Sequence, residues 1–138
     1  MSEDSERESL VEDTPRLVRE GKKIKLLNAG RIWVFVLKET QLLGDSSLQE
    51  ANSDSIQFLG DLPDEAGLVI DLKHVGYVSS AAMGWFFMVR KRCSERKIEL
   101  NLCNLSLPTK EVFKITGLHE LFRIHETQSD AIASLNTA

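Results

Sequence analysis

The sequence predicts an α/β domain: a mixed central sheet opened by an N-terminal β-hairpin and covered by about four helices. Three observations predict it. Residues 24–27 and 32–37 are largely apolar runs separated by Asn28-Ala-Gly-Arg31, and Asn and Gly supply the conformations that a tight turn needs. Two more short apolar runs, residues 68–72 and 98–103, each precede a segment with helical signals. Read end to end, the order is β-β-α-β-α-β-α-β-α, and strands alternating with helices imply parallel, right-handed crossovers.

The elements follow in turn. Residues 1–13 hold six acids against Arg7 alone, a net charge of −5, whereas the whole 138-residue chain carries −4. So acidic a stretch, with few apolar groups, has little surface to bury. Residues 1–21 therefore read as an acidic, mobile N-terminal extension and residues 22–138 as the domain. The extension serves as a solubilising tail or as an arm that tunes partner binding; a short amphipathic helix over residues 10–18 is weakly coded. Ile32-Trp-Val-Phe-Val-Leu37 is apolar throughout, as a central strand covered on both faces should be.

Residues 39–47 read as a polar loop. Ser46 or Ser47 then caps a helix over residues 48–59, in which Leu48, Ala51, Ser55, Phe58 and Leu59 share a face. Gly60 and Pro63 punctuate, and residues 68–72 form a buried strand. A long helix spans residues 80–96, followed by a strand at 98–103. Ser106 caps the next helix with Pro108 in its first turn, where a missing N–H costs nothing. Val112, Phe113 and Ile115 supply its apolar side, Gly117 its left-handed C-cap, and Leu118 the accompanying hydrophobic contact. A short strand at 122–124 and a terminal helix opening at Ser129-Asp130, with Ala131, Ile132 and Leu135, close the chain.

Composition narrows the function. The hydrophobic content of 42% and charged content of 28% are ordinary for a globular domain. The net charge of −4 argues against nucleic-acid binding. No apolar run approaches the roughly 20 residues that span a bilayer. The acidic N-terminus does not read as a secretory signal, and Cys93 and Cys103 are too few for a disulfide framework, so a cytoplasmic location with reduced thiols is expected. His74, His119 and His125 fall on different elements, so neither metal nor cofactor is expected. Gly-rich nucleotide-binding motifs are missing as well. Ser79 is flanked at ±2 by Tyr77 and Ala81, and Ser80 by Val78 and Ala82. Neither fits the Gly-x-Ser-x-Gly elbow of a hydrolase, and the chain is read as a non-enzyme.

The chemistry concentrates at Ser79-Ser80, where the long helix begins. A hydroxyl there faces unpaired N–H groups and the positive end of the helix dipole, which suits a phosphate as well as a simple cap. Along that helix Ala82, Phe86, Val89 and Cys93 form one stripe, with Met83 beside it, and read as the core face. Trp85, Met88 and Arg92 fall toward the other side and, with Tyr77, form a candidate partner surface. The competing reading packs Trp85 beneath the acidic tail or a neighbouring loop. Arg90-Lys-Arg92 with Arg96-Lys97 either complements the helix C-terminal dipole or meets an acidic partner.

Together, Leu68-Val-Ile-Asp-Leu, Val75-Gly-Tyr-Val-Ser-Ser-Ala-Ala-Met-Gly, Arg90-Lys-Arg-Cys, Ile98-Glu-Leu-Asn-Leu and the stretch from Pro108 to Phe122 resemble the STAS domain. That is the domain of bacterial anti-sigma factor antagonists and of sulfate-transporter tails. The resemblance covers about residues 22–136. It implies a protein-binding regulator whose partner is an anti-sigma factor that is also a switch-type serine kinase. The phospho-acceptor place falls on Ser80, with Ser79, Ala81, Ala82, Met83 and Gly84 as the flanking switch loop. Gly84 matches the family glycine and Met83 its apolar residue. Ser79 stands where the family has aspartate, Ala81 follows the acceptor, and Ala82 replaces the first family glycine. The alternatives are a non-phosphorylated scaffold, assembling as a homodimer or with other STAS proteins, and a small-ligand or lipid sensor. The last needs a pocket of roughly 300–1,000 Å3.

Overall fold

The sheet begins before the hairpin signal does. The computed structural model describes residues 14–38, 41–42 and 45–136, with the backbone alone for 41–42 and 45–47. In it Arg16–Glu20 is already a strand, β1, inside the stretch read as an extension. β1 pairs antiparallel with β2 (Ile24–Ala29), which pairs antiparallel with β3 (Ile32–Leu37). The β2–β3 turn follows from its residues. Gly30 takes φ 63°, and the Asn28 side-chain amide donates to the carbonyls of Gly30 (2.9 Å) and Ile32 (3.2 Å).

β5 (Gly67–Asp71), β7 (Glu99–Cys103) and β8 (Arg123–His125) extend the sheet in parallel from β3, giving the order β1-β2-β3-β5-β7-β8. A separate parallel pair joins β4 (Gln41–Leu42) to β6 (Tyr77–Val78). Short β4 and β6 are invisible to a pattern search, because two residues show no alternation.

Four α-helices complete the fold: α1 (Asp45–Asp61), α2 (Met83–Glu95), α3 (Leu107–Thr116) and α4 (Gln128–Asn136). α1 starts inside the stretch read as loop; Asp and Ser are favoured at a helix start. Its predicted face holds, with Ala51, Ser55, Phe58 and Leu59 buried. α3 has the predicted ends: Ser106 Oγ accepts from the Thr109 N–H, and Gly117 closes the helix at φ 79°. Ile115, however, is exposed, since only Thr109 and Phe113 of this helix are fully buried.

The pleat divides the apolar residues between two cores. Ile24, Leu26, Phe35, Leu37, Leu68 and Ile70 point to one face, where α1, α2 and α3 cover them. Ile32, Val34, Val36, Val69 and Cys103 point to the other and meet Ala131 and Leu135 of α4. Aromatic edges organise the first core: Phe86 meets Phe113 with ring centroids 5.1 Å apart and Trp85 at 4.9 Å.

Two buried acids tie elements together. Asp54 of α1 accepts from the backbone N–H groups of Lys23 (2.7 Å) and Ile24 (3.1 Å), locking the helix to the β1–β2 turn. Gly21 makes this approach feasible, because a Cβ there would lie 2.5 Å from the Asp54 carboxylate. Asp71, at the end of β5, accepts from the Lys73 N–H (2.9 Å), Asn104 Nδ2 (3.0 Å) and Gln128 Nε2 (2.8 Å). One carboxylate thus joins the ends of β5 and β7 to the start of α4, its charge met by three donors.

Candidate functional site

The loop after β5 turns back at once, with Val75 N–H bonded to the Leu72 carbonyl at 2.9 Å. Ser106 Oγ holds it from α3 by donating to the Gly76 carbonyl at 2.9 Å. Tyr77 and Val78 then pair with β4. Burial alternates through the segment: Val78, Ala82 and Met83 are buried, while Tyr77, Ser80, Ala81 and Gly84 are exposed. Three apolar anchors therefore present the intervening serine turn to solvent.

Ser79 has an extended backbone (φ −77°, ψ 161°) and is half-buried. The long helix does not begin as a regular α-helix. Ser80–Ala82 is a single 3-10 turn, closed by the Met83 N–H on the Ser80 carbonyl, and it runs directly into α2. Ser80 is thus the first residue of the helical turn, and no acid lies in the first turn of either element.

α2 buries Met83, Trp85, Phe86, Val89 and Cys93. The Ala82–Phe86–Val89–Cys93 stripe is the core face, as the periodicity implies. Trp85 is a correction. It is 3% exposed, and its indole Nε1–H donates to Ser55 Oγ of α1 at 2.9 Å. The buried arc of α2 is wider than one stripe because α1 packs beside it and offers the indole a polar partner. Trp85 therefore leaves the candidate partner surface.

The other candidates divide. Met88 packs partly against the core, Arg92 is exposed, and Tyr77 is 45% exposed. The outward face of α2 presents Gly84, Phe87 and Lys91 below Ser80, at helical spacings of three and four. Phe87 is 46% exposed, the aromatic that the sequence reading missed by turning Trp85 outward instead. A Cβ on Gly84 would meet nothing within 4 Å, so no packing inside this chain requires glycine there.

Two members of the basic cluster, Arg90 and Arg96, tie elements together, while Lys91, Arg92 and Lys97 are exposed. The Arg96 guanidinium donates to the carbonyls of Leu59 and Leu62 at the end of α1 and to Asp64 Oδ1 at 2.7 Å. Arg90 Nε donates to the Leu121 carbonyl at 3.2 Å. Burial pushes the Cys93 thiol up to about 12, against the influence of Arg96, and also pushes the Cys103 thiol up, with Asp71 adding to the effect. Both thiols are neutral, buried groups. Among the described residues no group of three or more His, Cys, Asp or Glu could hold a metal ion. No helix among them is long and apolar enough to cross a membrane.

A mixed sheet with its crossover helices on one face, and a serine turn offered to solvent at the head of a helix, defines a class: an α/β domain built to present a recognition loop. The chain belongs to the STAS domain family, whose model matches residues 9–131. It is 34% identical over 74 residues to "Putative anti-sigma factor antagonist BtrV" of Bordetella bronchiseptica, a match spanning 54% of this chain and 64% of that relative. Its fold is similar to that of an anti-sigma-factor antagonist (STAS) domain protein from Planctomyces limnophilus (TM-score 0.73, 17% identity, 82% of this chain and 97% of that one). It is also similar to the phosphorylated form of the Bacillus cell fate determinant SpoIIAA (TM-score 0.56, 16% identity, 81% and 98%). At these identities the structural likenesses speak for the fold alone.

Proposed function

We propose that this chain is a regulator of the anti-sigma factor antagonist type, docking an anti-sigma factor or switch-type serine kinase through Tyr77, the Ser80 turn and the outward face of α2. The observation that carries the reading is Ser80, exposed as the first residue of a helical turn and continued by the exposed residues Gly84 and Phe87. Phe87 is the aromatic anchor that such a surface needs, and bare Gly84 lets a partner backbone approach closely.

Ser80 is the phospho-acceptor in this reading. A phosphate adds about −1.5 to −2 charges, and the first N–H groups of a helical turn together with its dipole accommodate them. Ser79, standing in place of the family aspartate, removes a carboxylate that would repel that phosphate. Modification then leaves the fold intact and turns an uncharged docking loop anionic, which opposes a partner fitted to the neutral loop. The family likeness supports the reading.

The homo-oligomeric scaffold reading rested on Trp85 and Met88, and burial of Trp85 removes its main anchor. One reading is therefore carried forward. Its test is incubation of the purified chain with a candidate anti-sigma kinase, ATP and magnesium. Label is expected on the parent chain and not on Ser80→Ala, and Ser80→Asp and Phe87→Ala should each weaken the complex by roughly tenfold or more. Label retained in Ser80→Ala refutes the acceptor assignment; an unchanged complex with Phe87→Ala refutes the surface.

A further inference from the structure

The two faces of the sheet are unequally covered. α1, α2 and α3 share one face, whereas the other carries α4, over β3, β5, β7 and β8. β1 and β2 lie beyond α4, toward one edge of the sheet. There Leu17, Leu27 and Val36 line a hollow of about 470 Å3 that also takes in Glu20, Lys25, Lys38, Lys73 and His74. Leu17 is 56% exposed and Val36 is 4% exposed, so one forms the rim and the other the floor. That volume suits one small molecule.

The pairing registers give the hollow a polarity. Leu17 stands opposite Leu27, and Glu20 opposite Lys25, which in turn faces Val36. Lys25 and Leu27 are two residues apart on β2, so a charged end and an apolar end are separated by about 7 Å. Lys38 follows β3, and Lys73 follows β5 with its backbone N–H held by Asp71 at 2.9 Å, which carries both to the charged end.

Three lysines stand against one glutamate there, a net charge of +2 with His74 neutral. Glu20 is occupied by Lys38 at 3.0 Å, and Lys38 also donates to the Gly21 carbonyl at 3.1 Å. Lys38 holds the Glu20 carboxyl below its ordinary value, with Lys25 adding to the effect, so this acid is ionised near neutral pH. Lys25 and Lys73 have no ion-pair partner among the described residues. A second hollow, of about 560 Å3 between α4 and Thr14, Pro15 and Ala29, has no charged side chain among its lining residues, so the cations belong to the first alone. An apolar end beside two lysines without carboxylates fits a ligand with an anionic head and a short apolar chain.

We propose that this hollow binds a small amphiphilic anion, an aliphatic carboxylate whose head lies between Lys25 and Lys73 and whose chain covers Leu17 and Leu27 above Val36. The ligand removes an exposed apolar strip from water and neutralises the unpaired lysines. The site lies on the face of the sheet opposite α2, and is separate from the docking surface around Ser80.

The test is a titration of the isotope-enriched full chain with hexanoate, octanoate and decanoate below their micelle concentrations, read from amide shifts. Amides of Lys25, Leu27, Val36, Lys73 and His74 should move saturably while those of Phe87 and Lys91 stay in place. Each added CH2 should tighten binding by up to about fourfold. Lys25→Gln/Lys73→Gln should weaken octanoate binding by roughly fivefold or more with the Phe87 and Lys91 amides unmoved, the sign of an intact fold. Leu17→Ser should lessen the dependence on chain length. Acetate should leave the hollow unshifted, and 1-octanol should bind roughly fivefold or more weakly than octanoate. Equal affinity for octanol and octanoate, indifference to chain length, or binding unchanged in both variants overturns the proposal. A response to phosphatidylglycerol vesicles without saturable decanoate binding also overturns it, because the occupant is then a lipid surface.

Discussion

A double-mutant cycle on Ser55 and Trp85 probes the contact that sets which face of α2 points outward. Trp85 Nε1 donates to Ser55 Oγ at 2.9 Å, and Ser55 Oγ donates to the Ala51 carbonyl at 2.7 Å, in a buried setting. Ser55→Ala removes the acceptor and strands an indole N–H in the interior, which costs about 1–3 kcal/mol. Trp85→Phe removes the donor while leaving Ser55 bonded to Ala51. Its cost is mainly lost packing around the smaller ring, about 1–3 kcal/mol. In the double variant no indole remains to be stranded, so the two losses should sum to more than the combined loss. The expected coupling is about 1–2 kcal/mol. Urea unfolding followed by circular dichroism measures each corner, and the singles should melt about 2–8 °C lower per kcal/mol lost. Trp33 makes fluorescence a mixed reporter. Additivity within about 0.3–0.5 kcal/mol would refute the reasoning, since the bond would then contribute nothing specific.

The remaining predictions concern the same framework. Gly84→Ala places a Cβ in open space, so stability should rise by up to ~1 kcal/mol while partner affinity falls; thermal melts and a binding titration separate the two. Asp54→Ala leaves the Lys23 and Ile24 N–H groups without their acceptor and should cost about 2–4 kcal/mol by denaturant titration. Gly21→Ala should destabilise through the Asp54 carboxylate, and Asp54→Ala in the same chain should lessen that particular loss. Burial raises the Cys93 thiol from its ordinary 9.0 to about 12. Between those values the unfolded chain has released a proton that the folded chain keeps, so stability should decline as pH rises from about 9 towards 12. Cys93→Ala should lessen that decline in denaturation series across this range, and the buried Cys103 thiol, also raised, should supply the remainder.

Most of the fold was legible because its signals are local. The Asn28–Gly30 turn, the Ser106 cap, the Gly117 C-cap and the apolar strands each depend on a few neighbouring residues. β1 was not legible: all five of its residues are exposed, so an edge strand with charges among its apolar residues looks like tail. At the site, the Ser80 turn was marked by its position between a buried strand and an amphipathic helix. The exchange of Trp85 for Phe87 was not marked, since both are aromatic and lie on opposite flanks of the predicted stripe. Only the neighbour, α1 with Ser55, decides which ring goes inside. Asp54 and Asp71 were missed as anchors for the same reason, as their partners are backbone or amide groups of other elements.

Arg96 carries a mechanical consequence. It grips the carbonyl end of α1 from the tail of α2, while the Trp85–Ser55 bond joins the same two helices nearer the serine turn. Two separated fastenings oppose the sliding of one helix along the other. In the proposed switch, a modified Ser80 therefore sits at the head of a helix already fastened to its neighbour at two places. Its message is written in the electrostatics of the surface, and a partner reads it by touch.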